Sequence, residues 1–143
     1  MLAVLDSNII VAGLYSKRGA SYQLIKAALS GEMAFAVSPL VALEHEGVLH
    51  QKIEEGFLTL SERDCGRILD ALFSVATVVW RPIQVRPLLS DPSDDKVLEC
   101  AVSCGGTHIV TFNKKHFPAA VTAPWGIEVM TAGEFLALWR DTL

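Results

Sequence analysis

Four segments of the sequence carry oxygen-bearing side chains where a folded chain could bring them together. These side chains belong to Asp6, Glu44, Asp95 and Asn113. Clustered carboxylates repel one another, and a hard divalent cation such as Mg²⁺ or Mn²⁺ is the simplest remedy because it takes oxygen ligands. Such an ion can activate a water molecule and stabilise the charge that develops on a phosphodiester. The residue types therefore predict metal-dependent hydrolysis of phosphodiester bonds.

The segment SDPSDDKVLECA, residues 90–101, places three aspartates directly before an apolar run. The first turn of a helix accepts one or two carboxylates because its free N–H groups and its dipole favour negative charge. Asp91 is predicted to be the N-cap, Pro92 fits the first helical position, and Asp94 stands where the acid of a capping box would lie. Asp95 has no such structural task. We therefore predict that Asp95 binds the cation, with Asp94 as an additional ligand candidate.

Glu44 lies in a predicted helix, LVALEHEGVLHQKIEEG, residues 40–56. At about 100° per residue it falls at the centre of the stripe that would pack on the core. The other residues of that stripe, within about 60° of it, are Leu40, Val41, Gly47 and Val48. A lone carboxylate there costs several kcal/mol unless something pairs with it. No Lys or Arg lies one helical turn away, so Glu44 is predicted to face the cation.

Five short apolar runs alternate with stretches of helical spacing along the chain. The predicted strands are 2–6, 33–39, 76–80, 107–113 and 126–130, and the predicted helices are 19–32, 40–56, 61–74, one that begins at Asp91 and one that Thr131 and Glu134 cap. The residues between the first strand and the first helix are predicted to be a loop. Residues 81–92 are predicted to be a connection interrupted by prolines.

Strands separated by helices imply βαβ crossovers and a mostly parallel sheet that is covered on both faces. We therefore predict one α/β domain over residues 1–143, with a central five-stranded sheet flanked by helices. In such sheets ligands lie beyond the carboxyl ends of the strands, near the switch in strand order. Asp6 and Asn113 each end a predicted strand, which places both at that edge.

The composition limits the classes of function. The 143 residues are 51% hydrophobic, as expected of one globular domain. A net charge of −4 gives no broad basic surface, so any contact with nucleic acid must be local. No apolar run approaches the ~18 residues that span a membrane, and the first residues do not have the pattern of a secretory signal. Three cysteines, an odd number, indicate buried thiols in a reducing cytoplasm, where the protein is expected.

Four motifs resemble those of PIN-domain nucleases, most closely the branch near the VapC-like toxins of bacterial toxin–antitoxin pairs. They are LDSNIIVAGL, SPLVALEHEGVL, DPSDDKVLECA and IVTFNKKHF, in order along nearly the whole chain. The resemblance implies a Rossmann-like sheet, cleavage of single-stranded or structured RNA with Mg²⁺ or Mn²⁺, a homodimer, and a small antitoxin protein as partner. By motif, Asp6 matches the first acid, Glu44 the second and Asp95 the third, with Asp94 as an accessory acid.

Several polar residues could support this site. Ser7 could orient Asp6, and Thr111 could donate a hydrogen bond to a metal ligand. Basic residues are candidates for RNA phosphates, with solvated surface charge as the equal alternative. They are Lys114, Lys115 and His116, and in the loop after the first strand Lys17 and Arg18. The other three histidines show no spacing typical of a site.

The sequence also bears on two other functions. An aspartyl-phosphate protein would need an acid after the third strand or a second Asp beside Asp6, and VVWRP and DSN contain neither. The serious alternative is a degenerate PIN domain that binds RNA or a protein and does not cleave. Asn113 supports it, because many PIN domains have a fourth Asp at this position. An amide can still coordinate through its oxygen, but it lowers the charge of the site by one and makes a second metal ion less favourable.

Overall fold

Five short strands form one parallel sheet in the order β3-β2-β1-β4-β5. In this computed structural model, which describes residues 1–84 and 89–143, the strands are β1 (Ala3–Leu5), β2 (Phe35–Val37), β3 (Thr77–Val78), β4 (His108–Val110) and β5 (Glu128–Met130). All four neighbouring pairs are parallel. The predicted α/β fold with a Rossmann-like sheet is therefore confirmed, although each strand is shorter than the apolar run that predicted it.

Helices connect the strands, because neighbouring parallel strands need a crossover connection. They are α1 (Ser7–Tyr15), α2 (Ala20–Leu29), α3 (Pro39–Glu54), α4 (Glu62–Val75), α5 (Pro92–Ser103), α6 (Ala119–Thr122) and α7 (Ala132–Asp141), with 3₁₀ turns at Lys114–His116 and Ala123–Trp125. The predicted caps are present: Ser61 begins α4, Asp91 begins α5, and Thr131 and Glu134 form a capping box at α7. In the described residues, no helix is long and apolar enough to cross a membrane.

The core has one apolar cluster on each face of the sheet. Ala3 and Leu5 of β1 pack into one cluster, whereas Val4 between them packs into the other. In β4, Ile109 and Val110 divide in the same way. Side chains alternate between the two faces of a strand, so the sheet is buried on both sides, as a parallel sheet requires.

Two α-helices, α1 and the short α6, were not predicted from the sequence. The residues after β1 form helix α1 and not a loop, and the Asp6 side chain caps it by accepting from the Ser7 N–H at 2.8 Å. The segment SNIIVAGLY is apolar almost all round, so it lacks the periodicity that reveals an amphipathic helix. The predicted connection 81–92 lies partly outside the described residues, since 85–88 are not among them.

The strand order shows where a ligand-binding site is expected in this sheet. From β1 the chain proceeds to β2 and β3 on one side, and later to β4 and β5 on the other. The order therefore switches between β1 and β4, and the carboxyl ends of these strands form the crevice where ligands bind in such sheets. Asp6 follows β1 and Thr111 follows β4 at this point.

Candidate metal centre

A cavity of about 670 Å³ opens beside the carboxyl ends of β1 and β4. Four carboxylates from three parts of the chain line it: Asp6 after β1, Glu44 on α3, and Asp91 and Asp94 at the start of α5. Asn113 and His116 line the same cavity. The structure therefore brings together Asp6, Glu44, Asp94 and Asn113, all of which the sequence named as candidates for the site.

The Asp6 carboxylate is held by hydrogen bonds from both sides. Thr111 Oγ1 donates to Oδ2 at 2.8 Å, and the Ser7 N–H donates to Oδ1 at 2.8 Å. Burial raises the pKa of Asp6, the two hydrogen bonds lower it, and the nearby Glu44 carboxylate raises it. The net effect is a raised pKa, because the carboxylate lies away from water and close to another negative charge.

The Thr111 hydroxyl joins the ends of the two central strands. Besides donating to Asp6, it accepts from the Asn8 side-chain amide at 3.3 Å and from the Asn113 backbone N–H at 3.0 Å. Asn8 Oδ1 in turn accepts from the Phe112 N–H at 3.3 Å. Thr111 is fully buried, so these contacts fix the backbone that presents Asn113 relative to Asp6.

Glu44 lies at the edge of the core-facing side of α3, which differs from the prediction that it lies at the centre. The buried residues of this helix are Val41, His45 and Leu49, and Leu40 is 39% exposed. The core-facing stripe is thus rotated by about one residue, or about 100°. Glu44 has an ion-pair partner on another helix, because its Oε2 lies 3.6 Å from Lys96 Nζ of α5. Helical spacing within α3 could not reveal this contact.

Asp94 and Asp95, which the sequence both named as candidate ligands of the cation, lie in different environments. Asp95 is 2% exposed, its Oδ1 accepts from the Leu89 N–H at 3.0 Å, and it does not line the cavity. Asp94 lines the cavity, and His116 Nδ1 lies 3.3 Å from its Oδ2. Successive residues of a helix point about 100° apart, so only one of the two can face Asp6. Asp95 was predicted to bind the cation because it had no role in capping, whereas the packing of α5 on the sheet turns Asp95 inwards.

The electrostatics of Asp94 reflect its surroundings. The pKa of Asp94 is raised to about 6, mainly by burial and also by the carboxylates of Asp6, Asp91 and Asp95, while His116 opposes the rise. Asp6 and Asp94 are thus two carboxyl groups whose ionised forms are destabilised by burial and by neighbouring carboxylates. A bound cation would remove that penalty for both.

The donor set fits a hard divalent cation. Asp6, Glu44, Asp94 and the Asn113 amide offer oxygen atoms, which Mg²⁺ and Mn²⁺ prefer. Within the described residues no three His, Cys, Asp or Glu side chains are grouped closely enough to hold a metal ion. Mg²⁺ commonly keeps several waters and uses one or two carboxylates, so an open acidic cavity suits it better than it suits zinc.

His45 is a residue of the site that sequence analysis missed. It is 4% exposed, and its Nδ1 lies 2.7 Å from Ser7 Oγ, beside Asp6. Burial lowers the pKa of His45 to about 4, so the ring is neutral at pH 7. The signal was available, because His45 stands four residues from both Val41 and Leu49, on the stripe that packs on the core.

The basic residues after β4 have different environments. His116 reaches the cavity, whereas Lys114 Nζ is bound to Glu134 Oε1 at 3.0 Å on the rim of α7. Lys115 is exposed and lines a smaller cavity next to His116. Of the three RNA-binding candidates on this segment, the structure therefore brings His116 to the acids and leaves the lysines outside.

A parallel α/β sheet with acids beyond its central strands defines a class of domains whose ligands bind at the switch point. The family model for the PIN domain matches residues 3–115, which is most of the chain. The protein therefore belongs to the PIN-domain family, whose members are generally nucleases that use divalent metals.

The fold is similar to that of a solved toxin–antitoxin complex. The crystal structure of VapBC2 from Rickettsia felis, bound to a DNA fragment from their promoter, matches with a TM-score of 0.59 and 14% identity. The match covers 92% of this chain and 98% of the other. At this identity the likeness shows the fold alone. No curated protein sequence matches the chain.

Proposed function

We propose that this protein is an endoribonuclease that uses Mg²⁺ or Mn²⁺ bound by Asp6, Glu44 and Asp94, with the Asn113 amide beside them. The observation that carries the proposal is that carboxylates from three separate elements, among them Asp6, Glu44 and Asp94, line one cavity of a PIN domain. Two of them have raised pKa values, so binding a cation there is favoured over leaving the charges unpaired.

Each residue has a task that follows from its contacts. When bound, a divalent cation supplies Lewis-acid stabilisation of a phosphodiester and polarises a water. Thr111 and Ser7 hold the Asp6 carboxylate in one orientation, and Asp95 anchors the backbone at Leu89, just before the helix that carries Asp94. His116, close to Asp94, is placed to donate a hydrogen bond to a phosphate oxygen.

The likeness to VapBC2 supports a narrower form of the proposal. That structure contains a toxin with its antitoxin on DNA, so this chain is proposed to be the toxin of such a pair, acting as a homodimer on cytoplasmic RNA and inhibited by a small antitoxin. At 14% identity only the shared fold supports this step.

A second candidate function rests on Asn113. An amide in place of a carboxylate lowers the charge of the cavity by one, so one bound metal ion is more favourable than two. A PIN domain weakened in this way would bind RNA or a protein without cleaving. Metal binding that persists without hydrolysis of any RNA would indicate this function.

The decisive experiment compares cleavage of end-labelled single-stranded and structured RNA by wild type, Asp6→Asn and Asp70→Asn. Asp70 is exposed on α4, outside the cavity, and controls for loss of one negative charge. We expect cleavage with Mg²⁺ or Mn²⁺ by wild type and Asp70→Asn, and none with chelator or with Asp6→Asn. Equal cleavage by all three proteins would indicate a contaminant and reject the site. No cleavage by folded wild type would favour the binding function.

A further inference from the structure

The cavity has a second end, away from the acids Asp6, Glu44 and Asp94. Tyr15, the last residue of α1, and Phe57, just beyond α3, line it together with apolar residues of both helices. The two rings are stacked, with centroids 4.5 Å apart and planes 13° from parallel. Both remain open to solvent, since Tyr15 is 62% and Phe57 45% exposed. A large aromatic surface that folding leaves exposed indicates a binding site.

The two ends are separated by the length of a helix. Asp6 caps the start of α1 and Tyr15 ends it, which at 1.5 Å per residue places them roughly 13 Å apart. Glu44 lies in the first half of α3, and Phe57 follows the end of that helix. Because α1 packs against α3, one continuous cavity runs along both helices from the acids to the rings.

Charge also differs between the two ends. The acids Asp6, Glu44 and Asp94 occupy one end. At the other, Lys52 lines the cavity with its Nζ 5.6 Å from the Phe57 centroid, in reach of Glu55 at 3.4 Å. Ser16 and Gly19 also line this end of the cavity, and Lys17 and Arg18, which lie between them in the sequence, are exposed. The aromatic end is therefore bordered by cations that can contact phosphates.

We propose that Tyr15, supported by Phe57, is a base-stacking subsite for single-stranded RNA. An unpaired base of the substrate stacks on the exposed Tyr15 ring while Lys52, Lys17 and Arg18 contact the phosphates beside it. The strand then follows the cavity to the acid end, a few nucleotides away. This inference rests on the proposed ribonuclease function, and it adds a selection for unpaired RNA, because a base inside a duplex cannot reach the ring.

Single-stranded nucleic acid is the occupant that these observations favour. A stacked aromatic pair with cations beside it is the combination that binds bases and backbone together without sequence readout. The continuity with the acid end gives the strand a path to the groups that would cleave it. A segment of a protein partner is the alternative occupant, and the experiment separates the two.

The test measures binding of fluorescein-labelled single-stranded RNA by anisotropy, using Asp6→Asn protein so that the RNA stays intact. A set of oligonucleotides carries one abasic nucleotide at each position in turn. We expect one abasic position to weaken binding about tenfold. In Asp6→Asn/Tyr15→Leu, intact RNA should bind about tenfold more weakly, and that abasic position should cause no further loss. A merely structural role of Tyr15 would not remove a position-specific effect.

Two variants control for folding and for general loss of an aromatic side chain. Tyr15→Phe keeps the ring and should bind as its parent does. Trp125→Leu removes a 49% exposed aromatic outside the cavity and should change nothing. Thermal unfolding followed by circular dichroism checks that each variant is folded. Removing the positive charge of Lys52 with Lys52→Ala should lower the salt dependence of binding by about 0.7 in log–log slope.

The outcomes separate this inference from the proposed function. If the losses of RNA affinity caused by Tyr15→Leu and by the abasic position are additive, the subsite is rejected. Unchanged RNA binding by Tyr15→Leu also rejects it. If Tyr15→Leu instead releases a co-purifying protein and leaves RNA binding unchanged, the surface binds protein and the inference is wrong. If wild type cleaves RNA but the effects of the abasic position and of Tyr15→Leu are not coupled, only the subsite is rejected. Coupling without cleavage rejects the ribonuclease and retains the subsite.

Discussion

Asp94 and Asp95 are adjacent in α5, yet the first carboxylate lines the acidic cavity and the second lies inside the protein. Asp95 accepts from the Leu89 backbone N–H, and Asp94 lies beside His116 and in the field of Asp6. The two residues therefore have separable tasks. One is proposed to bind the cation, and the other holds the start of the helix that presents it.

Replacing each of these acids by its amide should separate metal binding from stability. Asp94→Asn is expected to weaken Mn²⁺ binding at least tenfold with little change in the melting temperature, because it removes a proposed ligand from an open site. Asp95→Asn is expected to keep most of the Mn²⁺ affinity and to lower the free energy of unfolding by about 1–3 kcal/mol, because it disturbs a buried hydrogen bond. Calorimetric titration and thermal unfolding measure both. The opposite result would restore Asp95 as the ligand.

The stability of the metal-free protein should depend on pH through Asp94. Its pKa is raised from 3.8 to about 6, so between these values the folded state binds more protons than the unfolded state. The contribution of Asp94 to the free energy of unfolding therefore falls as pH rises from about 4 to about 6. In urea titrations with chelator, the free energy of unfolding of Asp94→Asn relative to that of wild type should therefore increase as the pH rises through this window. A constant difference would show that Asp94 ionises normally.

His45 should produce a dependence of opposite sign. Burial lowers its pKa from 6.5 to about 4, so the unfolded state binds more protons between these values. The stability that His45 contributes is complete above about pH 6.5 and is lost as pH falls towards 4. His45→Gln, which cannot titrate, should reduce the loss of stability in acid, measured by urea unfolding. His50→Gln, on the exposed side of the same helix, is the control and should leave the contribution of His45 in place.

Thr111→Val should remove the hydrogen bond to Asp6 without creating a cavity in the core, because valine has nearly the same shape as threonine. The Thr111 hydrogen bond lowers the pKa of Asp6, so its loss raises that pKa and makes protons compete more strongly with the metal ion. We expect the pH midpoint of Mn²⁺ binding to move upwards. Thr111→Ser keeps the hydroxyl and should restore the wild-type midpoint. The same midpoint in Thr111→Val would mean that the hydrogen bond has only a structural role.

Local chemistry made some elements predictable from the sequence. The N-cap of α5 at Asp91 and the capping box of Thr131 and Glu134 follow from side chains that bind their own backbone, so no distant contact is needed to see them. The apolar runs likewise revealed all five strands. These signals are short-range, and they fixed the fold class and the edge of the sheet where the site lies.

Orientation within an element was harder, because it depends on what packs against it. Periodicity placed Glu44 at the centre of the buried stripe, whereas packing rotates α3 and pairs Glu44 with Lys96 of α5. Which of Asp94 and Asp95 faces the cavity could not be predicted for the same reason, since both fit the first turn of a helix. The Ser7–His45 contact joins residues 38 positions apart, which no local pattern encodes.

Asn113→Asp should distinguish a weakened nuclease from a binding domain. The substitution adds an acid beyond the end of β4, in the cavity that Asp6, Glu44 and Asp94 already line. We expect tighter Mn²⁺ binding and faster RNA cleavage, together with a lower melting temperature in chelator, because the added charge repels the others when no cation is present. Asn113→Ala is the control and should bind Mn²⁺ no more tightly than wild type. If Asn113→Asp tightens metal binding but no RNA is cleaved by either protein, the carboxylates form a metal site without nuclease activity, and the binding function accounts better for this chain.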